Sequence, residues 1–312
     1  MTCIIAIGGG KGGSGKSFLT GNLGIMLAAN GKRTLLVDVD LGGANLHTMI
    51  GIPYPSVSLS DFIDKEVASL SEVVIRTGVP NLFLISGAKD NLDVANIPYT
   101  QKMRLLRAIT KLNFDIILLD LGAGTSFNTI DFFMIADSSI FVTTPEPTSI
   151  ENVYRLIRAV FIRKIRQILN KEDFKSFIDR LLERKRDIRI NFLTNLFDML
   201  SAHEPAKARM LEEALETLEF KLVVNQHRKL DNMNLGTLMS RLVAKHLSIH
   251  MESWGNVSFD DRVHGAICNK VPFIHKYPYT RTATDLKEIC DKITTLSEQA
   301  RESVYNQMEL QF

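Results

Sequence analysis

The chain has 312 residues, of which 45% are hydrophobic, and this is enough apolar material for one large α/β core or two modest domains. Such a composition excludes disordered and fibrous proteins. The formal net charge of +2, with acids and bases nearly balanced, gives no global electrostatic reason to expect nucleic acid as the main ligand.

The cysteines and the start of the chain indicate a cytoplasmic protein. Cys3, Cys268 and Cys290 are far apart and form no CxxC pair, so we expect buried or inert thiols and neither a disulfide framework nor a structural zinc site. The apolar run before the first glycine is too short for a signal peptide. No later window approaches eighteen uncharged apolar residues, the signature of a membrane-spanning helix.

Short β-branched runs alternate with helical stretches through the first half of the chain, which is typical of βαβ units around a parallel sheet. Two of these runs, LLVD and IILLD, are continuously apolar, and this favours central strands that are covered on both faces. The predicted strands are 3–7, 34–37, 82–85, 115–119, 140–143, 221–224 and 248–252.

The alternation stops after residue 150 and resumes at KLVVNQ. We predict a helical insertion over 163–220, or an enlarged crossover, whose first part is rich in basic residues, and a long last helix over 282–305. The predicted fold is a single α/β domain over 1–312, with a mostly parallel twisted sheet, helices on both faces and a helical insertion before a late strand.

The glycine-rich segment after the first predicted strand has the spacing of a phosphate-binding loop. It reads GKGGSGKS, matches G-x-x-x-x-G-K-[ST] and precedes an amphipathic run. In such a loop backbone N–H groups face a phosphate, Lys16 contacts the β- and γ-phosphates, and Ser17 ligates Mg²⁺. A glycine-rich turn without a ligand is the alternative. The residues expected around the nucleotide are Gly10, Lys11, Gly12, Gly13, Ser14, Gly15, Lys16, Ser17 and Phe18.

A second lysine, Lys11, stands inside the same glycine turn. Two cations this close would repel each other unless a polyanion lies between them, and bound phosphate is the natural counter-charge. A solvated loop lysine is the alternative interpretation.

Carboxylates follow two of the predicted strands at their carboxyl ends, where ligands bind in this architecture. Asp40 is the candidate for orienting the attacking water, and Asp38 supports Mg²⁺ through water or holds the loop; alternatively, both cap the following helix. Asp120 ends IILLD in the Walker B pattern, in which a carboxylate holds the water shell of Mg²⁺. The glycines after Asp120 allow a loop that moves when the γ-phosphate leaves.

Three motifs in this order, KGGSGKS with Lys11, DVDLGGANL and DLGAG, resemble the deviant Walker A, switch I and switch II segments of the MinD/ParA superfamily. The resemblance covers roughly residues 1–150 and resumes at LVVNQ and through the final helix. DLGGANL and DLGAG are most similar to the MinD-like branch that includes the flagellar-number regulators FlhG and FleN.

The resemblance implies an ATPase with ATP and Mg²⁺ as ligands and an ATP-sandwiched homodimer. It implies that Lys11 reaches the partner's phosphates, so that hydrolysis depends on dimerisation. It also implies that Lys16 and Ser17 bind phosphate and Mg²⁺, and that Asp40 positions water and adds to a metal site supported by Asp120.

The resemblance further implies that Asn225 recognises the adenine ring, although by itself it reads equally as a strand-end turn residue. This chain departs from the family in several segments, among them a helical segment 163–220 that is longer than in the compact members. The family's usual Pro-x-Asp appears here as Ser258-Phe259-Asp260, so the family pattern does not say which residues form the wall of the base pocket. The tail SEQARESVYNQMELQF lacks a lysine-rich amphipathic helix, which argues against membrane recruitment.

Our first hypothesis is therefore an ATPase switch that controls the position or number of a cellular structure through a homodimer and a protein regulator or cargo adaptor. The alternative is a DNA-partition ATPase that binds phosphates through the basic helices near Arg163 and Arg184, although interleaved acids also fit a solvated helix face. Metal-cluster carriers would need differently spaced cysteines. Amidotransferase relatives would use the γ-phosphate to activate a substrate carboxylate.

Overall fold

The computed structural model describes residues 2–41, 43–87, 97–168, 200–202, 205–216, 218–247 and 249–309. Its strands are β1 (Cys3–Gly8), β2 (Thr34–Asp38), β3 (Ile75–Arg76), β4 (Leu82–Ile85), β5 (Ile116–Asp120), β6 (Ser138–Thr143), β7 (Phe220–His227) and β8 (Met251–Ser258). They form one sheet in the order β3-β4-β2-β5-β1-β6-β7-β8, in which only the β3–β4 pair is antiparallel. The predicted α/β fold with a mostly parallel sheet is confirmed.

Helices connect the strands on both sides of the sheet. They are α1 (Lys16–Ala29), α2 (Leu46–Met49), α3 (Leu59–Ile63), α4 (Tyr99–Ile109), α5 (Phe127–Phe133), α6 (Pro147–Ile168), α7 (Pro205–Glu216), α8 (Leu235–Leu247), α9 (Arg262–Cys268), α10 (Phe273–Lys276) and α11 (Arg281–Glu309), with a 3₁₀ turn at Leu70–Val73.

The core lies in two layers because successive side chains of a strand point to opposite faces. In β1, Ile4 and Ala6 belong to the buried cluster that includes residues of α4, α6, α7 and α8, whereas Ile5 and Ile7 belong to the buried cluster that includes residues of α1, α10 and α11. The central strands β2 and β5 are buried at every position. Their continuous apolar runs therefore identified the middle of the sheet correctly.

The two edges of the sheet differ from the prediction. The last strand was expected at 248–252 but is β8, Met251–Ser258, which pairs only with β7 and contains register shifts. Its sequence mixes polar and apolar residues, because an edge strand is covered less evenly than a central one. The two-residue strand β3 was not predicted, since so short a segment carries no periodicity.

The helical regions also shift from their predicted limits. Helix α6 runs without interruption across residue 163, where the insertion was expected to begin, and buries residues such as Val153, Leu156 and Val160 against the sheet. Residues 163–168 therefore complete the crossover after β6. Arg184 and the rest of 169–199 lie outside the described residues. The final helix, Arg281–Glu309, extends beyond the predicted 282–305 at both ends.

Cys3, Cys268 and Cys290 form no disulfide bond. Cys3 and Cys290 are buried, as expected, and burial raises the pKa of Cys290 to about 12, which keeps this thiol protonated and inert. Cys268 lies exposed on α9, so it is not one of the buried thiols.

A buried ionic cluster joins three helices next to the end of β5. Asp131 on α5 lies 2.5 Å from the ammonium of Lys102 on α4 and 2.7 Å from the guanidinium of Arg163 on α6. Only 5–6% of the Asp131 and Lys102 side chains is exposed, and Lys102 also donates to Asn128. Charges this deeply buried are tolerated because each has its counter-charge in contact.

This cluster yields a stability prediction. Asp131→Ala would leave the Lys102 ammonium buried without its counter-charge, and we expect it to lower the free energy of unfolding by about 3–5 kcal/mol. Urea unfolding followed by circular dichroism measures the loss. The control is Glu151→Ala, which removes an exposed partner of Arg155 and should cost at most about 0.5 kcal/mol.

A double variant separates charge from packing. Lys102→Met combined with Asp131→Leu removes both buried charges and should recover most of the lost stability. Equal unfolding midpoints for Asp131→Ala and Glu151→Ala would contradict a buried ionic cluster at this position.

Candidate active site

A cleft of about 580 Å³ opens at the carboxyl edge of the sheet, in the size range of small-molecule sites. Parallel strands carry their ligand-binding loops at this edge, so loops that are distant in sequence meet there. The residues that line it are Gly12, Gly13, Gly15, Lys16, Ser17, Phe18, Asp40, Gly43, Asn45, Met49, Ala123, Asn225, Gln226, Ser258, Phe259, Asp260, Asp261, Val263, His264, Ile267 and Thr282.

The loop between β1 and α1 needs glycine at two positions for different reasons. Gly15 has a left-handed backbone with φ of 86°, and a Cβ there would lie 2.1 Å from Nδ2 of Asn225. A Cβ at Gly10 would lie 2.1 Å from the backbone of Asn152 on α6. The loop is therefore packed between α6 and the end of β7.

The start of α1 has the chemistry of an anion site. The helix begins at Lys16, has no acidic residue in its first turn and receives no side-chain cap at Gly15, so its first N–H groups lack a side-chain acceptor. The Lys16 side chain is buried, and the buried Ser14 hydroxyl has no hydrogen-bond partner among the described residues. A phosphate would complete these groups, and the residues present therefore fit a nucleotide.

Lys11 differs from Lys16 in its surroundings. Its side chain is 45% exposed, and its ammonium lies 3.1 Å from a carboxylate oxygen of Glu146, just before α6. Lys11 does not line the cleft. The structure therefore brings Lys16, Ser17 and Phe18 to the cleft and leaves Lys11 on the outer side of the same loop.

Two buried carboxylates meet behind the loop. Asp38 and Asp120 end neighbouring strands at paired positions. Burial raises the pKa of Asp120 to about 6, against hydrogen bonds from Ser17 and Thr20 and the charge of Lys16, which lower it. Burial, and then the nearby Asp120, also raise the pKa of Asp38 well above its usual value. The pair thus places next to Ser17 two carboxyl groups whose ionised forms are disfavoured by burial, and a cation there would stabilise those ionised forms.

Asp38 and Asp40 have different surroundings. Asp38 accepts backbone N–H groups from Asp40 at 3.2 Å and from Leu46 at 3.0 Å, so it holds the loop and caps the start of α2. Asp40 lines the cleft, and a Cβ at Gly122 would lie 3.1 Å from its carboxylate. The loops after β2 and β5 are therefore in close approach at Asp40.

Among the described residues there is no group of three or more His, Cys, Asp and Glu side chains able to enclose a metal ion. Proteins usually hold Mg²⁺ through one or two side chains together with substrate phosphates and water. Ser17 and Asp120 are in hydrogen-bond contact, and they are the residues that would hold such an ion.

Asn225 and Gln226 fasten the end of β7 to the phosphate loop. The Asn225 amide donates to the Ser14 carbonyl at 2.9 Å, and the Gln226 amide donates to the Gly13 carbonyl at 2.8 Å. Asn225 is 97% buried and touches Gly15, so its amide nitrogen shapes the loop even without a base in the cleft.

Three contacts around the site were missed from the sequence. Thr20 donates to Asp120 at 3.2 Å and to the Lys16 carbonyl at 2.9 Å, one helical turn after the lysine. Gln226 lies next to the predicted Asn225. Its position after the predicted strand 221–224 could have identified it as a site residue. Glu146 had no such signal, because it meets Lys11 only through the fold.

No helix in the described part of the chain is both long enough and apolar enough to cross a membrane.

Comparison with known proteins gives the family. Residues 2–174 match the family model of the AAA domain. The antiactivator FleN of Pseudomonas aeruginosa is 24% identical over 292 residues, covering 93% of this chain and 85% of FleN.

Two further similarities agree with this result. The septum site-determining protein MinD of Buchnera aphidicola is 28% identical over 202 residues, which cover 64% of this chain and 74% of that protein. The solved structure of MinD from Pyrococcus horikoshii, complexed with Mg-ADP, superposes with a TM-score of 0.66 at 19% identity and covers 95% of this chain and 98% of its own. The chain thus belongs to the AAA domain family and, with FleN and MinD, to the MinD/ParA superfamily of P-loop ATPases.

Proposed function

We propose that this chain binds ATP with Mg²⁺ in the cleft, hydrolyses it, and uses the two nucleotide states to control pairing with a second copy of itself. The observation that carries the proposal is the buried Lys16 at the start of α1, next to Ser17 and the buried carboxylate of Asp120. An anion and a cation are both needed to balance these groups, and magnesium triphosphate supplies both.

Catalysis at this site would consist of positioning and charge neutralisation, with no covalent intermediate. Lys16 and the N–H groups at the start of α1 would hold the β- and γ-phosphates. Mg²⁺, held by Ser17 and water next to Asp120, would neutralise charge on the phosphate oxygens. Asp40, whose carboxylate lines the cleft, would orient the attacking water.

The exposed position of Lys11 supports the dimer. Its present partner is Glu146, and exposed pairs of this kind contribute little free energy, so little is lost when Lys11 turns to a stronger anion. A triphosphate in a facing copy is such an anion. Because Lys11 would then act on the partner's nucleotide, hydrolysis would depend on dimerisation.

The likeness to FleN extends over 93% of this chain, and this supports a regulatory role. We infer that the ATP-bound dimer acts in the cytoplasm on a protein regulator or cargo adaptor and controls the position or number of a cellular structure, such as a flagellum or a division site. Membrane recruitment is not part of this proposal.

A DNA-partition role is the second candidate, because α6 carries five basic residues against one acidic residue. The contacts weaken it. Arg163 is held by the buried Asp131, and Arg155 is paired with Glu151. A salt titration of duplex DNA binding with ATP and with ADP separates the candidates, since a partition protein requires binding that depends on ATP and falls with salt.

The two lysines should have separable effects. Lys16→Ala removes the buried phosphate ligand and should weaken ATP binding by at least about tenfold to a hundredfold. Lys11→Ala should keep ATP affinity but lose ATP-dependent dimerisation and turnover. Calorimetry measures the affinity, and light scattering measures the dimer.

Glu146→Ala is the matched control for Lys11. It removes the resident partner of the lysine without touching the cleft, so it should leave dimerisation intact. Retained ATP affinity in Lys16→Ala, or full turnover in Lys11→Ala, would count against the assignment of that lysine.

Asp40→Ala should bind ATP, accumulate as a dimer and lose turnover by about a hundredfold or more, because the water loses the group that orients it. Phosphate release and sedimentation with ATP give the two readings, and ADP is the control state that should remain monomeric. Undiminished turnover would show that another group holds the water.

Asp120→Asn should make the nucleotide-free protein more stable. The folded pKa of about 6 lies above the ordinary 3.8, so ionised Asp120 opposes folding in full above about pH 6, and this cost fades as the pH falls towards 3.8. We expect a gain on the order of 1–3 kcal/mol at about pH 7.5 and a smaller gain near pH 5.

The same variant should lose the stabilisation that Mg-ATP gives to the wild type, because the metal site loses its carboxylate. Thermal unfolding with and without Mg-ATP measures both effects. Asp291→Asn, at an exposed position on α11, is the control and should change neither. A destabilised nucleotide-free Asp120→Asn protein would contradict the electrostatic cost.

A further inference from the structure

The cleft has a second end, formed by the residues that follow β8. The phosphate loop follows β1, and β8 lies three strands away in the sheet, which corresponds to about 14 Å at the usual strand spacing. An extended nucleoside triphosphate spans a comparable distance. A base whose phosphates lie at Lys16 would therefore reach the wall formed by Ser258, Phe259 and Asp260.

Phe259 presents an aromatic ring at this wall. The guanidinium carbon of Arg228 lies 3.8 Å from the ring centroid, so a planar cation covers one face of the ring. The side chain nevertheless keeps 37% of its surface exposed and lines the cleft. The exposed part of the Phe259 ring is therefore accessible to a ligand at this end of the cleft.

Both halves of the stack are fixed by hydrogen bonds. The backbone N–H of Arg228 donates to Asp231 at 2.7 Å, and the N–H of Phe259 donates to the His227 carbonyl at 2.9 Å. Just before Phe259, the N–H and hydroxyl of Ser258 donate to the buried Asp285 at 2.8 and 2.6 Å. These bonds fix the backbone that carries the ring, so less backbone freedom is lost when a base stacks on it.

The neighbouring carboxylate is already engaged. Asp260 accepts the Arg262 backbone N–H at 2.9 Å and two guanidinium N–H groups at 2.8 Å each. Its oxygens are therefore committed to Arg262. Recognition at this wall depends on the face of the ring more than on a carboxylate acceptor.

We propose that Phe259, backed by Arg228, is the stacking surface for the nucleobase and takes the place of the Pro-x-Asp wall that this chain lacks. The inference rests on the proposed binding of ATP and adds the residue that holds its base. Stacking on an aromatic ring tolerates different bases, so Phe259 strengthens nucleotide binding without selecting the base.

The experiment compares two ligands by calorimetry in the presence of Mg²⁺: ATP, and inorganic tripolyphosphate, which has the phosphates but no base. Phe259→Ala should weaken ATP binding about 5- to 100-fold and leave tripolyphosphate binding unchanged. Phe259→Trp should retain ATP affinity. Arg228→Ala should weaken ATP binding less than Phe259→Ala, because only the backing of the ring is lost.

Tyr279→Ala is the matched control, since Tyr279 is an aromatic residue 99% exposed outside the cleft, and it should bind both ligands as the wild type does. Unchanged ATP affinity in Phe259→Ala, or an equal loss for both ligands, would overturn the stacking role. A wild type that binds neither ligand would overturn the proposed function itself, whereas a wild type that binds both equally well would overturn only the base site.

Discussion

Burial of like charges at the ends of two adjacent strands is the constraint on which this structure depends. Asp38 and Asp120 occupy paired positions in β2 and β5, and both are almost completely removed from water. Their mutual repulsion and desolvation are offset by the charge of Lys16, by hydroxyl donors and by the backbone N–H groups of the loop after β2. The three loops of the site are therefore held together by the need to compensate the same charge.

That constraint extends away from the cleft through α5. The helix has only seven residues and follows the loop after Asp120, so it cannot absorb a change in that loop by bending. Asp131 in this helix is tied to Lys102 on α4 and to Arg163 on α6. Through these ion pairs the helix that follows the Asp120 loop is joined to α4 and α6.

The sequence predicted the parts of the site that are local. The phosphate loop, β2 and β5 were identified because strand, glycine turn and helix are contiguous and because a fully buried strand is apolar at every position. The contacts of Lys11 with Glu146 and of Phe259 with Arg228 join residues that only the sheet order brings together. The edge strand β8 was misplaced because its solvent-facing positions interrupt the hydrophobic pattern.

The division between Lys16 and Lys11 has a consequence for assembly. Lys16 is buried beside the carboxylate pair, so within one copy the charges of the phosphate site can already be balanced by Lys16, Mg²⁺ and the start of α1. Lys11 stands on the outer side of the loop, next to Glu146 and half exposed. A cation in that position gains most from an anion presented by another molecule, since its own site does not require it. In the proposed function, Lys16 would thus bind the nucleotide of its own copy, and Lys11, five residues earlier, would bind the nucleotide of the partner.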